Sequence, residues 1–186
     1  MAMDGAHLVK LCKYLSKHLR HDPARLGLVL GPGGWVAVDD LLAACARHSV
    51  AIDRVALEEV VAFNDKQRFA FDPTGTLIRA QQGHSVEIDL QLEPEAPPPV
   101  LYHGTPAGNV ESILREGLLK GNRHHVHLSP DPDMARVVGA RRGKPVVLAV
   151  DAVAMDAVGQ PFFRSGNGVW LVDHVPAIYI RVLGSA

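Results

Sequence analysis

Cysteine is scarce in this chain, whose 186 residues include Cys12, Cys45 and no C-x-x-C pair. Both cysteines lie within helical patterns, where they are expected to be small buried apolar residues, so a disulfide framework is excluded and a reducing compartment is predicted. No apolar run approaches the roughly 18 residues of a membrane span, and the N-terminus lacks the apolar core of a signal peptide. These absences predict a cytoplasmic protein.

Several motifs that mark common enzyme classes are also absent. The chain has no G-x-G-x-x-G before a helix, no G-x-x-x-x-G-K-[ST] and no G-x-S-x-G, which excludes Rossmann, P-loop and hydrolase sites of those types. His125 and His127 would share one strand face that zinc could use, but the sequence offers no partner with ligand spacing and no H-E-x-x-H, so no metal is expected. Paired carboxylates for acid–base work are not evident, so an enzyme here would rely on arginines and a histidine.

What the chain does have is a set of arginines and histidines beside element boundaries. Arg20 and His21 end the first helical pattern, Arg68 begins a strand pattern, and Arg123 precedes another. Each position also has an explanation that involves no ligand. Arg20 and His21 would complement the helix dipole, Arg68 would form a surface ion pair with Asp65, and Arg123 would serve solubility. The net charge of −1 excludes a uniformly basic nucleic-acid-coating protein but allows a local basic patch. Because arginine's planar fork fits phosphate, the set favours one pocket for a multiply charged anion.

A proline-rich stretch, residues 94–99 (PEAPPP), is the clearest boundary in the chain. Consecutive prolines fix the backbone and donate no hydrogen bonds, so neither helix nor sheet is expected to run through them. The stretch is predicted to be a linker between a first lobe, residues 1–93, and a second lobe, residues 100–186. Each lobe is near the lower size limit for an independent core, so the two are expected to pack together and share a cleft.

The sequence of the first lobe predicts helices followed by a hairpin. Leucines at three- and four-residue steps predict an amphipathic first helix. A short strand is expected at 35–38, and Asp39 and Asp53 are each expected to cap a following helix. RFAFD and TLIRAQQ flank a tight turn, which completes a helix-turn-helix with a wing, a module used for nucleic acids and for protein contacts.

The second lobe is expected to be rich in strands, which gives an α+β fold class overall. VLYHG is predicted to be a strand ending in a glycine turn, and YHGT and SGNGVWL are expected to be loops that approach a ligand. Asn109 is expected to cap a short helix that Gly117 closes. A second helix is predicted between Asp131 and Gly139. The further strands are HVHLS, PVVLAV, GVWLV and AIYIRVL, two of them near-continuous apolar runs typical of strands covered on both faces.

Nine ordered segments resemble those of the tRNA 2′-phosphotransferases, the KptA-like enzymes, from about Leu11 to Leu183. The segments are KYLSKHLRHDP, GWVAVDDLL, NDKQRFAF, IRAQQGHS, LYHGT, ILREGL, RHHVHLS, VGARRGKPVVL and NGVWLVDHVP. An ordered set of this kind is far more specific than a single motif. Cys12 stands where the family usually has serine, and because it lies on the apolar side of the helix no functional cost is expected.

The resemblance implies a winged-helix-like RNA lobe joined to an ADP-ribosyltransferase-like lobe that holds NAD⁺ as a co-substrate. It also implies a two-step transfer of an internal RNA 2′-phosphate to NAD⁺ through a 2′-phospho-ADP-ribosylated RNA intermediate. The products are RNA with a free 2′-OH, nicotinamide and ADP-ribose 1″,2″-cyclic phosphate. The implied partner is a tRNA-like RNA from splicing, and the enzyme is expected to be a monomer.

The same resemblance assigns site residues. The catalytic set is Arg20, His21, Arg68 and Arg123, with His21 as a candidate acid for the departing RNA oxygen because histidine titrates near working pH. Val169 replaces the usual transferase glutamate, which suits a phosphate acceptor that a carboxylate would repel. The residues implied at the NAD⁺ site are His103, Gly104, Thr105, His127, Ser129, Asn167, Gly168 and Val169, with Lys17 and Arg141 implied to contact phosphate.

The sequence leaves two other functions open. The same lobes could ADP-ribosylate a terminal phosphate of a nucleic acid by stopping after the first step, in which case the product would keep its ADP-ribose. Alternatively, the chain could be a winged-helix nucleic-acid-binding protein with a degenerate transferase lobe. The intact catalytic set argues against degeneracy, since inactive relatives of enzymes tend to lose such groups first.

Overall fold

The computed structural model describes residues 4–63 and 66–184 and divides the chain into two units, Met1–Gln91 and Leu92–Ala186. Each unit has its own hydrophobic core. Helices and small antiparallel sheets occur in both, which agrees with the predicted α+β class. Within the described ranges, no helix is long and apolar enough to cross a membrane.

Three helices form most of the first unit, and they are α1 (Gly5–Arg20), α2 (Val38–Arg47) and α3 (Arg54–Ala62). The leucine spacing in α1 places Leu11, Leu15 and Leu19 in the core, each at most 3% exposed, as the amphipathic pattern predicted.

The caps of the next two helices differ from each other. Asp53 caps α3 as predicted, because its side chain accepts a hydrogen bond from the Ala56 amide at 2.8 Å. The expectation for Asp39 was wrong: α2 already begins at Val38, directly after a strand, with Ala37 in the capping position. Asp39 lies instead in the first turn, where a carboxylate favours the helix dipole.

A small antiparallel sheet completes this unit, with one strand between α1 and α2 and two strands after α3. Its strands are β1 (Val36–Ala37), β2 (Phe69–Phe71) and β3 (Leu77–Ala80), in the order β1-β3-β2. The predicted hairpin between β2 and β3 is confirmed, with Phe69 opposite Ala80. Asp72 holds its turn by accepting from the Leu77 amide at 2.7 Å and from the Thr74 hydroxyl at 2.5 Å.

The second unit carries the larger share of strands. Its helices are α4 (Val110–Glu116), α5 (Pro132–Gly139) and α6 (Ala152–Ala157). Its strands are β4 (Val100–Pro106), β5 (Leu118–Leu119), β6 (Val126–Leu128), β7 (Pro145–Asp151), β8 (Phe163–Arg164), β9 (Trp170–Val172), β10 (His174–Val175) and β11 (Ile180–Val182). They form antiparallel sheets in the orders β11-β7-β4 and β6-β9-β8, with β10 paired to β5.

The core of this unit lies on the most apolar strands. Four consecutive residues of β7, Val147 to Val150, are buried, and so are all three residues of β9. The two near-continuous apolar runs therefore do belong to strands covered on both faces, as predicted.

The YHGT segment is a strand rather than a loop, which corrects the expectation for it. Strand β4 continues through Gly104, which pairs with Val147, and ends at Pro106. A Cβ atom at Gly104 would lie 1.6 Å from the carbonyl oxygen of Ala135 in α5. The glycine is therefore needed because a helix backbone packs onto the strand at this point, whereas the sequence had suggested a close approach by a ligand.

The short helix that follows begins differently from the prediction and ends as predicted. Asn109 makes no side-chain cap for α4, because a 3₁₀ turn, Ala107–Asn109, precedes the helix and leaves Asn109 in a helical conformation. Gly117 does close the helix, with φ of +87° and its amide donating to the Ile113 carbonyl at 2.8 Å.

The proline-rich stretch belongs to the second unit along part of its length. Pro94 forms an isolated bridge with Phe163, and the Glu95 amide donates to the Phe162 carbonyl at 2.8 Å. The Glu95 carboxylate also lies 3.4 Å from the Arg164 guanidinium. These residues therefore pair with the edge of β8.

Candidate active site

A cavity of about 460 Å³ in the first unit brings three of the predicted catalytic residues together, namely Arg20, His21 and Arg68. The other residues that line it are Leu8, Val9, Cys12, Lys13, Ser16, Lys17, Phe63 and Lys66. This volume is within the range of about 300–1,000 Å³ that small-molecule sites occupy.

Helix α1 supplies most of the cationic lining through its spacing. Lys13, Lys17 and Arg20 follow one another at steps of four and three residues, which places them on one helix face. Arg20 is the last residue of the helix and His21 caps it, with the His21 amide donating to the Lys17 carbonyl at 2.9 Å. Basic groups at this end also complement the negative end of the helix dipole.

Arg68 enters the same cavity from the start of the hairpin. It directly precedes β2, and its carbonyl oxygen lies 3.5 Å from Nη2 of Arg20. Arg20 and Arg68 are both half-buried, whereas Lys17 and His21 are exposed. The two guanidinium groups therefore come from segments 48 residues apart in the chain. The convergence predicted from the sequence also included Arg123, which does not line this cavity.

The charge of this cavity has one sign in the part of the chain that the structure describes. Its described lining includes five lysines and arginines together with His21, and none of the described lining residues is acidic. Asp65, considered as a partner of Arg68, lies outside the described residues. Because gathered cations raise the local concentration of anions and lower the energy of a bound one, the cavity is suited to a phosphate group.

Two contributors near this cavity were missed from the sequence. Lys66 carried a usable signal, since it is a further cationic residue two positions before Arg68, although the backbone between them turns at Gln67, whose φ is +40°. Ser85, whose hydroxyl oxygen lies 2.9 Å from Nδ1 of His21, carried none. The two residues are 64 positions apart, and no local pattern links them.

In the second unit, β4 and β6 bring two of the predicted histidines together. Nδ1 of His103 lies 3.1 Å from the carbonyl oxygen of His127. Burial lowers the pKa of His103, the bond to the His127 carbonyl opposes this, and the charge of Arg123 adds to the lowering. Because a carbonyl only accepts, Nδ1 of the neutral ring carries the proton and Nε2 is left as an acceptor.

Arg123 lies in the bend before β6, next to the second histidine of this group. Its Nη1 atom is 3.5 Å from Nδ1 of His127, a long contact in which the guanidinium donates. His127 therefore presents Nδ1 as an acceptor and carries its proton on Nε2 when neutral. Among the predicted catalytic residues, Arg123 belongs to the second unit and the other three belong to the first.

The SGNGVWL segment begins with a tight turn closed by a buried serine and continues into β9. The hydroxyl of Ser165 lies 2.7 Å from Oδ1 of Asn167 and 3.0 Å from the Val169 carbonyl, and it accepts from the Val169 amide at 3.1 Å. Gly168 has φ of +79°, the left-handed region that favours glycine, and its amide donates to the Ser165 carbonyl at 2.8 Å. The turn fixes Asn167, Gly168 and Val169 before β9.

The remaining predicted residues of this unit lie in different surroundings. Ser129 exchanges backbone hydrogen bonds with Tyr102 at 2.8 Å, and its hydroxyl accepts from the Asp131 amide at 3.1 Å. Thr105 is buried in β4, whereas Arg141 is exposed on the turn after α5. The assignment of Ser129, Thr105 and Arg141 to ligands stays a prediction.

The two histidines considered for zinc do not lie together on one strand. His125 precedes β6 and its ring lies 5.7 Å from that of Phe163, while His127 is within the strand. Among residues 4–63 and 66–184, no group of three or more histidine, cysteine, aspartate or glutamate side chains is arranged to hold a metal ion.

Comparison with known proteins identifies the family. A family model described as "RNA 2′-phosphotransferase, Tpt1 / KptA family" matches residues 6–174. The chain belongs to this family. A protein of Trichormus variabilis named "Probable RNA 2′-phosphotransferase" is 62% identical over 181 residues, which cover 97% of this chain and 100% of the relative.

Relatives from other bacteria carry the same name. A "Probable RNA 2′-phosphotransferase" of Streptomyces coelicolor is 56% identical over 96% of this chain and 97% of its own length. Another, from Burkholderia pseudomallei, is 49% identical over 92% of this chain and 94% of its own length. The chain is therefore an enzyme of the RNA 2′-phosphotransferase family, which confirms the resemblance seen in the sequence.

Proposed function

We propose that this enzyme transfers an internal 2′-phosphate of RNA to NAD⁺, yielding RNA with a free 2′-OH, nicotinamide and ADP-ribose 1″,2″-cyclic phosphate. One observation supports this function above others: Arg20, His21 and Arg68 line one cavity with three lysines and no described acidic residue. A phosphate dianion is the ligand whose charge and fork-shaped hydrogen bonding match such a lining.

The two units have separate roles in this proposal. The first unit is a winged-helix-like module that binds the RNA, which is supported by its three helices, its β1-β3-β2 sheet and the β2–β3 hairpin after the last helix. The second unit is an ADP-ribosyltransferase-like module that binds NAD⁺, which is supported by its two three-stranded antiparallel sheets. The RNA substrate is a tRNA-like molecule that retains a phosphate from splicing.

The first task of the arginines is to align an anion that is already nucleophilic. An RNA phosphate oxygen forms a bond to C1″ of the nicotinamide ribose, and the electrons of the C1″–N bond leave with neutral nicotinamide. No base is needed, so Arg20 and Arg68 contribute by position and by leaving the phosphate charged. A carboxylate at the position of Val169 would repel this nucleophile.

The second task is to stabilise charge on the phosphoryl oxygens. O2″ of the ribose releases its proton to solvent as it forms a bond to phosphorus, the bond from phosphorus to the RNA 2′-oxygen breaks, and that oxygen takes up a proton. Fixed guanidinium groups stabilise such a shift of charge, as arginines do in other phosphoryl transfers. We assign the delivery of the proton to His21 and further charge stabilisation to Arg123.

NAD⁺ supplies an electrophilic ribose carbon with a neutral leaving group, and residues of the second unit fit its hydroxyl groups. His103 is held with Nε2 as an acceptor, since Nδ1 donates to the His127 carbonyl. Burial also lowers the pKa of His103, so the ring stays neutral at pH 7 and retains that acceptor. The further residues that we assign to NAD⁺ are Thr105, His127, Ser129, Asn167, Gly168 and Val169. Gly104 is assigned through its backbone only, because α5 fills the position that a side chain would occupy.

A product assay tests this function. The enzyme is incubated with NAD⁺ and an RNA that carries one internal 2′-phosphate, and the products are separated by chromatography and weighed by mass spectrometry. We expect free nicotinamide, RNA lighter by one phosphate and ADP-ribose cyclic phosphate in equal amounts. If the RNA instead retains ADP-ribose as its final product, the enzyme is an ADP-ribosyltransferase of nucleic-acid phosphates. RNA that stays unchanged while bound would show a binding protein and overturn the proposal.

A further inference from the structure

We propose that the segment Gln81–Ser85 is a positioning clamp that fixes Arg20, His21 and Arg68 relative to one another, and that Ser85 sets the orientation of the His21 ring. The functional part of this inference rests on the phosphate transfer proposed above. The segment follows β3 and contacts both stretches of chain that carry the cationic lining. None of its residues lines the cavity, so its role is to position those that do.

One arm of the clamp holds the end of helix α1. The Ser85 amide donates to the carbonyl oxygen of Arg20 at 2.9 Å, and the Val86 amide lies 3.4 Å from the same oxygen. The last carbonyls of a helix have no partner within it, so a donor from elsewhere in the chain is needed. The Ser85 hydroxyl oxygen also lies 2.9 Å from Nδ1 of His21. The position of the helix end and the rotation of the imidazole are thus fixed by the same residue.

The other arm holds the segment that carries Arg68. The Gln81 amide donates to the Arg68 carbonyl at 2.9 Å, which extends the β2–β3 ladder by one bond. The Gln81 side chain is 9% exposed, and its Nε2 donates to the Gln67 carbonyl at 2.8 Å. Gln67 has φ of +40°, a conformation that a non-glycine residue adopts at some energetic cost. The buried amide of Gln81 therefore stabilises an unfavourable backbone turn immediately before Arg68.

Gly83 lies between the two arms, next to the Arg20 side chain. Its φ of +86° favours glycine, and a Cβ atom there would lie 3.6 Å from Nη1 of Arg20. The turn at Gly83 thus places the backbone beside the Arg20 guanidinium while Gln81 and Ser85 point to the two catalytic stretches. A single segment of five residues consequently bonds to the backbone of both Arg20 and Arg68.

The serine hydroxyl suits a histidine that changes protonation during a reaction. When the His21 ring is charged, Nδ1–H donates to the Ser85 oxygen, and when the ring is neutral the hydroxyl rotates and donates to Nδ1. In both states Nδ1 is satisfied and, before the transfer, Nε2 carries a proton. The charged ring gives its Nε2 proton to the departing RNA oxygen and becomes neutral, with its remaining proton on Nδ1 still donated to the Ser85 oxygen. Ser85 therefore holds the ring in one orientation before and after the transfer, as hydrogen-bonded partners orient other histidines.

Nitrogen-15 NMR of the histidine rings tests this role without relying on activity. Enzyme labelled at its ten histidines is measured at about pH 8.5, where an ordinary histidine is neutral, and a His21→Asn variant identifies the His21 signals. We expect wild-type His21 to be protonated on Nε2 and Ser85→Ala to give a mixture of tautomers. Ser85→Thr keeps the hydroxyl and should restore the wild-type pattern.

The same variants are then compared in the two chemical steps. Loss of the bond should slow the second step of Ser85→Ala about tenfold, the effect of about 1.4 kcal/mol, while nicotinamide release changes less than twofold. Ser85→Thr should recover the second step to within about threefold. Ser112→Ala removes a different exposed hydroxyl, one that donates to the Asn109 carbonyl, and serves as the matched control.

Defined outcomes would overturn the clamp. Unchanged His21 signals in Ser85→Ala, or a Ser85→Thr enzyme as slow as Ser85→Ala, would show that Ser85 does not orient the ring.

If Ser85→Ala does not fold, Gln81→Met tests the other arm, because it removes the donor to Gln67 at nearly constant volume. This variant should weaken binding of 2′-phosphorylated RNA about tenfold with His21 signals unchanged, and unaltered binding would contradict the proposal. Wild-type enzyme that makes no product would refute the function while leaving the NMR result intact.

Discussion

The two units of this enzyme use the same residue types, arginine and histidine, in opposite electrostatic settings. In the first unit, Arg20 and Arg68 share a cavity with three lysines, and the described lining adds no carboxylate to balance them. In the second unit, burial lowers the pKa of His103 and of His125, which favours their neutral forms. The described lining of the first cavity is therefore cationic, whereas burial disfavours positive charge on these two histidines of the second unit.

This difference separates the recognition of an anion from the recognition of hydroxyl groups. A phosphate is bound through charge and through donors alone, which guanidinium and ammonium groups provide. A ribose hydroxyl needs an acceptor as well, which a neutral imidazole provides and a protonated one does not. The proposed division between an RNA phosphate and NAD⁺ follows from these two chemistries.

Replacing Arg68 by alanine should have the largest effect on the difference between the two units, because it removes one of the two guanidinium groups of the cationic cavity. We expect turnover to fall about a thousandfold, equivalent to about 4 kcal/mol, as when a charge-stabilising arginine is lost in other phosphoryl transfers. Rates of nicotinamide release and of cyclic phosphate formation are measured separately. RNA that retains phospho-ADP-ribose should accumulate if the second step is the more affected.

Arg47→Ala provides the control for this experiment, since Arg47 is an exposed arginine at the end of α2, outside the cavity lining. Arg68→Lys retains the charge and loses the fork, so it should recover only part of the activity. An Arg68→Ala enzyme within threefold of the wild type would remove the main support for an anion site in the first unit.

Replacing Gly104 by alanine should instead disturb the packing of the second unit. The added Cβ would lie 1.6 Å from the Ala135 carbonyl, so α5 has to move away from β4. We expect the free energy of unfolding to fall by about 3 kcal/mol, at the upper end of typical overpacking costs, as measured by urea denaturation. Gly108→Ala, with no neighbouring atom within 4 Å of its Cβ, should change stability by less than about 0.5 kcal/mol. Equal stability of the two variants would contradict this account of Gly104.

The buried His103 should make the stability of the enzyme depend on pH. Because burial lowers the pKa of His103 in the folded state, the unfolded chain binds the proton more readily. The stabilisation is therefore complete above about pH 6.5 and is lost as pH falls from there towards the folded-state pKa, by at most about 1.4 kcal/mol per pH unit for one proton.

His103→Gln retains a donor for the His127 carbonyl and has no titrating group, so its stability should change less between pH 7.5 and pH 5.5. Urea denaturation at several pH values measures the difference. The exposed His7, replaced by glutamine, is the control. The same pH slope for His103→Gln and the wild type would show that His103 is not held neutral by burial.

The smallest effect is expected at Lys17, an exposed residue of the cavity lining. Lys17→Ala should weaken RNA binding only severalfold and should reduce the slope of log affinity against log salt by about one, as for the loss of a single phosphate contact. Fluorescence anisotropy over a series of salt concentrations measures both quantities. Arg141→Ala in the second unit gives the corresponding measurement for Arg141, the other residue predicted to contact phosphate outside the catalytic set. An unchanged salt slope in Lys17→Ala would exclude a phosphate contact by Lys17.

The sequence predicted those features that depend on local patterns. Hydrophobic patterns show which faces of an element are covered. They predicted the amphipathic helix α1, the hairpin around the turn at 73–75, and the apolar strands β7 and β9 that are covered on both faces. The convergence of Arg20 and Arg68 on one cavity also followed, since both stand at the ends of elements.

Features that depend on distant contacts could not be predicted. Gly104 looked like part of a ligand loop, and only the packing of α5 onto β4 reveals why a side chain is excluded there. Ser85 gave no signal either, because its bond to His21 joins positions 64 residues apart. Both cases show that a residue's tertiary partner decides its role where local sequence allows several.

The most direct test of the central claim is the binding of RNA in the absence of NAD⁺. An RNA with one internal 2′-phosphate and the same RNA with a 2′-OH are titrated with full-length enzyme and with Arg68→Ala. We predict that the wild type binds the phosphorylated RNA at least tenfold more tightly and that Arg68→Ala binds the two RNAs equally. Equal affinities for the wild type, or a preference that survives in Arg68→Ala, would contradict an anion site built from Arg20, His21 and Arg68.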